Sequence, residues 1–327
     1  MYSINQLKDY ILEHSSQQTI VFPEGKEDKI VEVAKRIKAQ GLGVPVLLFN
    51  TSDEIPSGLE QEIKCLVVKE SINQEMVDLL LEIRKGKLEK DQAIELTQKR
   101  NYYGVMMIQM GLADAMVCGL NYTTADTLRP ALQIIKTSKD SSIASSIFMM
   151  SRGEERYIFT DCALNVDPNP EQLKDIAYMA AKFAQDLNTK NVEVAMLSYS
   201  TNGSGMGPMV DKVATAVEKL KSLNNEQMTF DGEIQFDAAF SKVVRDKKYP
   251  NNSFKKETPD VFVFPELNSA NIGYKIAQRL GGFEAAGPFI LGLNKPVNDL
   301  SRGASLEDIY QTSIVTIYQA IKRSEAK

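Results

Sequence analysis

One histidine and three cysteines occur in 327 residues, and both shortages narrow the chemistry. A Ser–His–Asp or Cys–His pair would have to use His14. That residue lies among charged neighbours in an amphipathic N-terminal stretch and reads as a surface side chain. Proton transfer near neutral pH then falls to a carboxylate, a lysine, a tyrosine or the substrate itself. Cys65, Cys118 and Cys162 are odd in number and widely spaced, with no CxxC, so neither a disulfide framework nor a zinc site is indicated. Cys65 and Cys118 sit in apolar runs as small core residues. Cys162, in FTDCAL, has aspartate beside it instead of a cation, and reads as core more readily than as nucleophile. No apolar run approaches the ~18 residues that span a bilayer. The N-terminal stretch lacks the basic end and apolar core of a secretory signal. A cytoplasmic protein without a membrane role is expected. The formal net charge of −5 argues against a general nucleic-acid binder, yet a few arginines suffice for a small anionic ligand.

What is present is an alternation of short apolar runs and amphipathic helices. TIVFPEG (19–25), VPVLLFN (44–50), CLVVKE (65–70) and ADAMVCGL (113–120) read as buried strands. Between the first two lies a helix with Ile30, Val31, Ala34 and Ile37 on one face and Gly41 as its stop. Residues 71–112 read as mostly helical. SSIASSIFMM (141–150) and RYIFTDCAL (156–164) read as adjacent strands, being rich in β-branched and aromatic residues. A second alternating series follows. Asn169 and Pro170 open a helix with Leu173, Ile176, Ala177, Ala180, Phe183 and Leu187 inward. VEVAMLSYS, EIQFDAAF (233–240), DVFVFPE (260–266) and PFILGLN (288–294) read as strands, and 245–260 as a long surface loop. The chain closes with a long helix carrying Leu306, Ile309, Ser313, Ile317 and Ile321 along one side.

Strand–helix–strand order implies parallel sheets with right-handed crossovers. The expected fold is α/β, in two α/β/α domains with mainly parallel sheets. The first comprises 1–150 with the returning helix 300–327, the second 151–299, and a cleft between them passes beside 294–308. Ligands of open α/β sheets bind at the carboxyl ends of the strands, where PEG, GLNYTTADTLRP, YSTNGSG, PELNSA and NKPVNDLSRG fall. TNGSGMGP resembles a phosphate loop, but it has neither the Walker nor the dinucleotide spacing, and a flexible turn is as good a reading. Thr and Asp in TTADTLRP are ordinary helix caps, with Arg129 placed to face an anion at the same helix end. Ser305-Leu306-Glu307-Asp308 fits a capping box, and on spacing alone that reading prevails over a catalytic one.

Several long motifs in register say more. KPVNDLSRGAS with the following ED, ADAMVCGLNYTTADTLRPAL, FTDCALNVDPNPEQL, MLSYSTNGS and FPELNSANIGYKIAQRLGG closely resemble the phosphate acetyl/butyryltransferase family, in its phosphate acetyltransferase (phosphotransacetylase) form. The resemblance covers nearly the whole chain. It implies a fold like that of isocitrate and isopropylmalate dehydrogenases, with the active site in the interdomain cleft. The implied reaction is reversible acetyl transfer between coenzyme A and orthophosphate. Carried over by position, Asp308 is the base that takes the thiol proton, Ser301 stabilises transition-state charge, and Arg302 holds the phosphate of acetyl phosphate. Arg84, Arg129 and Arg279 match arginines of substrate or coenzyme A binding, and Thr127, Ser200, Thr201 and Asn298 of the same motifs are placed with them. Coenzyme A and acetyl-CoA are then substrates; no resident cofactor and no metal are expected, and the partners are coenzyme A, acetyl phosphate, phosphate and a second copy in a homodimer. The alternatives are phosphate butyryl transfer, a nicotinamide-dependent decarboxylating dehydrogenase, and a non-catalytic acyl-CoA binder, which would have no need of a base.

Overall fold

In the computed structural model, residues 1–14, 17–139 and 141–325 are described. The chain forms two compact units. The terminal unit comprises Ser3–Ser138 and Leu293–Lys327, and the middle unit Met1–Tyr2 and Lys139–Gly292. The expected boundaries at 150 and 299 are therefore displaced. The reason is strand pairing: the stretch before 150 is a strand of the middle sheet, and that before 299 a strand of the terminal one. The expected first domain also spans Ser15, Ser16, Asp140, Ala326 and Lys327, which lie outside the described residues.

In the terminal unit, α1 (Ile4–Glu13) precedes β1 (Thr19–Phe22), α2 (Asp28–Ala39) and β2 (Val44–Phe49). α3 (Leu59–Glu62), β3 (Lys64–Val67) and α4 (Val68–Ser71) follow. The strand expected at 65–70 thus ends early, in a helical turn. Next come α5 (Gln74–Ile83), α6 (Lys90–Thr97), α7 (Arg100–Gln109), β4 (Ala115–Cys118) and α8 (Thr124–Ile134). The face that α2 buries is Ile30, Val33, Ala34 and Ile37, with Val33 in place of the expected Val31.

The middle unit holds β5 (Ser145–Arg152), β6 (Glu155–Thr160), α9 (Pro170–Asp186), β7 (Val192–Leu197) and α10 (Pro208–Lys221). It continues with β8 (Met228–Ile234), α11 (Phe236–Phe240), α12 (Lys242–Lys248), β9 (Val261–Val263), α13 (Leu267–Arg279) and β10 (Glu284–Leu291). The strand expected at 233–240 is two elements. MTFDGEI is the strand, and FDAAF, with paired alanines, is a short helix. The stretch 245–260 is also no loose loop. Arg245 is fully buried and donates to the carbonyls of Ala239, Lys256 and Glu257, while Glu193 accepts from the N–H groups of Lys255 and Lys256. The chain then returns to the terminal unit as β11 (Val297–Asp299) and α14 (Leu306–Glu325).

The terminal sheet is wholly parallel, in the order β11-β4-β1-β2-β3. β1 is followed outward on one side by β2 and β3, and the chain then crosses to β4 on the other. The pair β1/β4 is therefore the topological switch point, where open α/β sheets place ligands. α14 packs on α1, α2, β4 and β11 and is buried around most of its circumference. The middle sheet runs β10-β5-β6-β9-β7-β8. β6, β9, β7 and β8 are parallel, while β5 pairs antiparallel with both β6 and β10. No described helix is long and apolar enough to cross a membrane.

Candidate active site

At the switch point the turn after β1 buries Glu24. Its carboxylate accepts from four consecutive backbone N–H groups of the loop after β4: Gly119 at 2.8 Å, Leu120 at 3.0 Å, Asn121 at 2.5 Å and Tyr122 at 3.3 Å. Charge-assisted bonds of this kind are the strong ones, so GLNY is fixed from below by a single side chain. The loop delivers α8, whose N-cap Thr123 accepts from Asp126 N at 3.1 Å and donates to Asp126 Oδ2 at 2.7 Å. Arg129 stands one turn on, exposed, 3.4 Å from Asp126. Arg84, half-buried, is the C-cap of α5. Burial raises the Tyr102 phenol above its ordinary value, while Arg129, Arg84 and Lys99 pull it down. All three cations are thus near enough to act on the charge of that hydroxyl, which itself donates to Gln133 Oε1 at 2.9 Å.

Beside β4, β11 ends in Asp299 and leads into the stretch that carries Ser301 and Arg302. Leu300 N donates to Cys118 O at 2.8 Å, and Ala304 N closes a turn onto Ser301 O at 2.9 Å. Lys29, from α2, donates to Ala304 O at 2.9 Å. Ser301 and Arg302 are exposed on this turn, and Arg302 has no ion-pair partner among the described residues. Asp308 stands in the first turn of α14, and the capping box is formed. Ser305 N and Ser305 Oγ both donate to Asp308 Oδ2 at 2.8 Å, and Asp308 N donates to Ser305 Oγ at 3.1 Å. All the carboxylate's contacts fall on Oδ2. Oδ1 has no hydrogen-bond partner among the described residues, so the cap leaves one exposed carboxylate oxygen free.

Four of the expected binding residues are buried. Thr127 lies inside α8 and Asn298 inside β11, each 0% exposed. The Asn298 amide donates to Thr316 Oγ1 at 2.8 Å and Gln319 Oε1 at 2.7 Å, which ties β11 to α14. Ser200 donates to Glu233 Oε1 at 2.8 Å and accepts from Gly205 N at 2.9 Å, and Thr201 Oγ1 accepts from Gln235 N at 2.9 Å. Glu233 Oε1 also takes Gly203 N at 2.7 Å. The N–H groups of Gly203 and Gly205 are thus spent on the protein, and the glycine-rich loop is braced as it stands instead of open to an anion. Arg279, the last residue of α13, is exposed on the middle unit.

Sequence reasoning passed over the braces themselves: Glu24, Asp161, Glu233 and Asp299. Asp161 accepts from the N–H groups of Ala163, Leu164 and Asn165 at 3.0–3.1 Å. Each of the four acids stands within an apolar strand run or just beyond it, a position where a charge needs a reason. Burial drives the Cys118 and Cys162 thiols well above their ordinary value, which removes both as thiolates at neutral pH. His14 lies on the surface, stacked on Tyr10 at 3.8 Å.

A parallel sheet with exposed arginines and a half-free carboxylate beside its switch point is the place where an open α/β fold takes a small anionic ligand. A model of the family described as Phosphate acetyl/butaryl transferase matches residues 3–317, and the chain belongs to that family. It is 53% identical over 320 residues to the phosphate acetyltransferase of Mycoplasma capricolum, covering 97% of this chain and 99% of that protein. It is 43% identical over 309 residues to the phosphate acetyltransferase of Bacillus subtilis, covering 92% and 94%. Among solved structures, a phosphotransacetylase from Streptococcus pyogenes superposes with a TM-score of 0.92 at 44% identity, covering 98% of this chain and 100% of that one.

Proposed function

We infer that the chain transfers an acetyl group reversibly between coenzyme A and orthophosphate: acetyl-CoA + phosphate = acetyl phosphate + CoA. The observation that carries this is the match, along nearly the full length of both chains, to relatives named phosphate acetyltransferase.

The transfer proceeds directly, within a ternary complex. A free thiol has a pKa near ~8.5, so coenzyme A needs a base. The unengaged Oδ1 of Asp308 takes the S–H proton as the sulfur attacks the acetyl carbonyl. The C–O π pair moves onto oxygen, where the Ser301 hydroxyl donates; one such donor is typically worth ~3 kcal/mol. Collapse of the adduct breaks the bond to the phosphate oxygen and expels phosphate, whose oxygens match the planar fork of Arg302. Arg129, Arg84 and Arg279 serve the anionic groups of the substrates. Ser200 and Thr201 brace the glycine-rich loop, Asn298 ties β11 to α14 below Ser301 and Arg302, and Thr127 is buried in α8, the helix that carries Arg129. Buried thiols of raised pKa support a scheme without an acyl-enzyme. The same reading takes coenzyme A as substrate, with no resident cofactor or metal, and a cytoplasmic homodimer, which sedimentation of the purified chain tests.

The experiment is one assay, in which thioester absorbance is followed after mixing coenzyme A with acetyl phosphate, in the presence of EDTA. Acetyl-CoA formation with intersecting double-reciprocal lines is expected. Parallel lines with a trapped acetyl-Cys162 would overturn direct transfer. A preference for butyryl phosphate would move the chain to the butyryl-transferring branch, and no thioester from either would reject the function.

A further inference from the structure

Asp299 has no assigned role, and its surroundings are unusual for a carboxylate. It ends β11, two residues before Ser301, and is 4% exposed. Its Oδ2 accepts from Thr124 Oγ1, at the start of α8, at 2.6 Å. Its Oδ1 is buried with no hydrogen bond of ordinary geometry among the described residues, and the Thr127 hydroxyl lies near enough to act on the same carboxyl. Gly119, at φ +118, presses against it: a Cβ there would collide with Asp299 Oδ1 and lie 2.7 Å from Leu300 N. A half-satisfied buried acid is costly, and a hydrophobic side chain would fill the place without that cost. The remaining contact is the one that joins two functional segments, since α8 carries Arg129 and the turn after β11 carries Ser301 and Arg302.

We propose that Asp299 is a positioning residue for acetyl transfer: its ionised carboxylate clamps the start of α8, through Thr124, to the strand that presents Ser301 and Arg302. This rests on the functional reading above. An O–H···O⁻ bond of this length is the charge-assisted kind, and the adjacent N-terminus of α8 favours negative charge. Protonation converts the clamp to a neutral contact and lets the two segments drift, and misplacement by an ångström costs on the order of 100-fold in rate. Burial raises the Asp299 carboxyl to about 6, opposed by the hydroxyls of Thr124 and Thr127 and reinforced by Glu24. The titratable groups that face it are Glu24, from the turn after β1, and the Cys118 thiol of β4. The clamp thus opens within reach of mildly acidic conditions.

The test uses the full chain with Asp299→Asn, Thr124→Val and Thr124→Ser, measuring kcat and both KM values from pH 5 to 8. The uncharged amide of Asp299→Asn imitates the protonated state. At pH 7.5 its kcat should fall by ~10- to 100-fold, with the KM for coenzyme A within twofold. The wild-type acid limb near pH 6 should vanish in that variant. Thr124→Val should lower kcat in the same direction, Thr124→Ser should restore it, and the double variant Asp299→Asn/Thr124→Val should lose no more than Asp299→Asn alone. A role confined to stability would instead lower the melting temperature of Asp299→Asn and leave its pH limb in place. That outcome overturns the proposal, as do wild-type kcat in Asp299→Asn and strictly additive losses in the double variant. Should Asp299→Asn fail to fold, Thr124→Val at the exposed helix start decides: unchanged kcat rejects the clamp. A wild-type chain with no acetyl transfer would reject the functional reading itself, whatever the variants do.

Discussion

Replacing Asp308 by Asn separates the helix cap from the proposed base. The cap uses Oδ2, which receives Ser305 N and Ser305 Oγ at 2.8 Å; the proposed base would use Oδ1. Asparagine can present its carbonyl oxygen to Ser305 and so keep the cap. What it loses structurally is negative charge in the first turn of a helix, worth ~0.3–1 kcal/mol at an exposed site. What it loses chemically is a proton acceptor, worth ~10²–10⁴ in rate, or about 3–5 kcal/mol of barrier. The converse variant is Ser305→Ala. It removes the N-cap at a cost of ~1 kcal/mol but leaves the carboxylate in place. Urea unfolding and kcat should therefore cross. Asp308→Asn loses at most ~1 kcal/mol of stability and ~100-fold or more in kcat, whereas Ser305→Ala loses as much or more stability and only a few-fold in kcat. The reasoning fails if Asp308→Asn keeps kcat within threefold of the parent, or if Ser305→Ala falls as far as Asp308→Asn. Either result would mean that the capping box accounts for Asp308.

Arg302→Lys should raise the KM for acetyl phosphate and lower kcat despite retained charge, because a point donor replaces a bidentate fork; unchanged constants would refute the phosphate-binding role. Glu24→Gln sets an amide NH₂ against the N–H donors of residues 119–122, and urea unfolding should show a loss of ~2–4 kcal/mol, since a buried donor left unpaired costs its desolvation. Gly119→Ala, at positive φ and against Asp299, should lower kcat and stability together. For Asp299 the folded pKa is raised from 3.8 to about 6, so the folded state holds the proton more tightly than the unfolded one. Its contribution to stability is full below the unfolded value and is lost as pH rises through 6, a change of ~3 kcal/mol. The urea midpoint of the parent relative to Asp299→Asn should fall between pH 4 and 7 and then level off; a flat difference would refute the shift.

Much of this architecture was legible because burial in a parallel sheet writes itself as apolar runs. TIVF, VPVLLF and VEVAML each sit where a hydrophobic run between turn residues puts them. The misreadings have physical causes. Val-Asn-Asp was invisible as β11 because two of its three residues are polar; their partners, Thr316 and Gln319 for Asn298 and Thr124 for Asp299, lie far off in sequence. QFDAAF looked strand-like from its phenylalanines, yet after β8 the chain turns at once into a helix. The stretch 245–260 looked solvated from its lysines, and only coordinates show Arg245 turned inward on three carbonyls. For the site, spacing identified the capping box but was silent on which carboxylate oxygen it uses. The resemblance pointed to Thr127, Ser200, Thr201 and Asn298, whose motifs lie at strand ends; the structure shows their side chains closed to solvent.

The braces also decide how an anion is to be recognised. A strand-to-helix loop ordinarily offers its N–H groups and the positive end of the helix to phosphate. Here those donors are already spent. Thr123 takes Asp126 N, Ser305 takes Asp308 N, and Glu266 takes Asn268 N and Ser269 N at the start of α13. Glu24 takes the loop after β4, Asp161 the loop after β6, and Glu233 the N–H of Gly203 in the glycine-rich loop. At four of these six places the acceptor is a carboxylate, which also adds negative charge where an anion would have to sit. These particular donors are thereby withdrawn from phosphate. On the proposed reading the attraction then falls mainly to guanidinium groups, and Arg302, Arg129 and Arg279 stand exposed and Arg84 half-exposed. Flexible side chains of this kind can hold phosphate and release it, as the proposed reversible transfer requires.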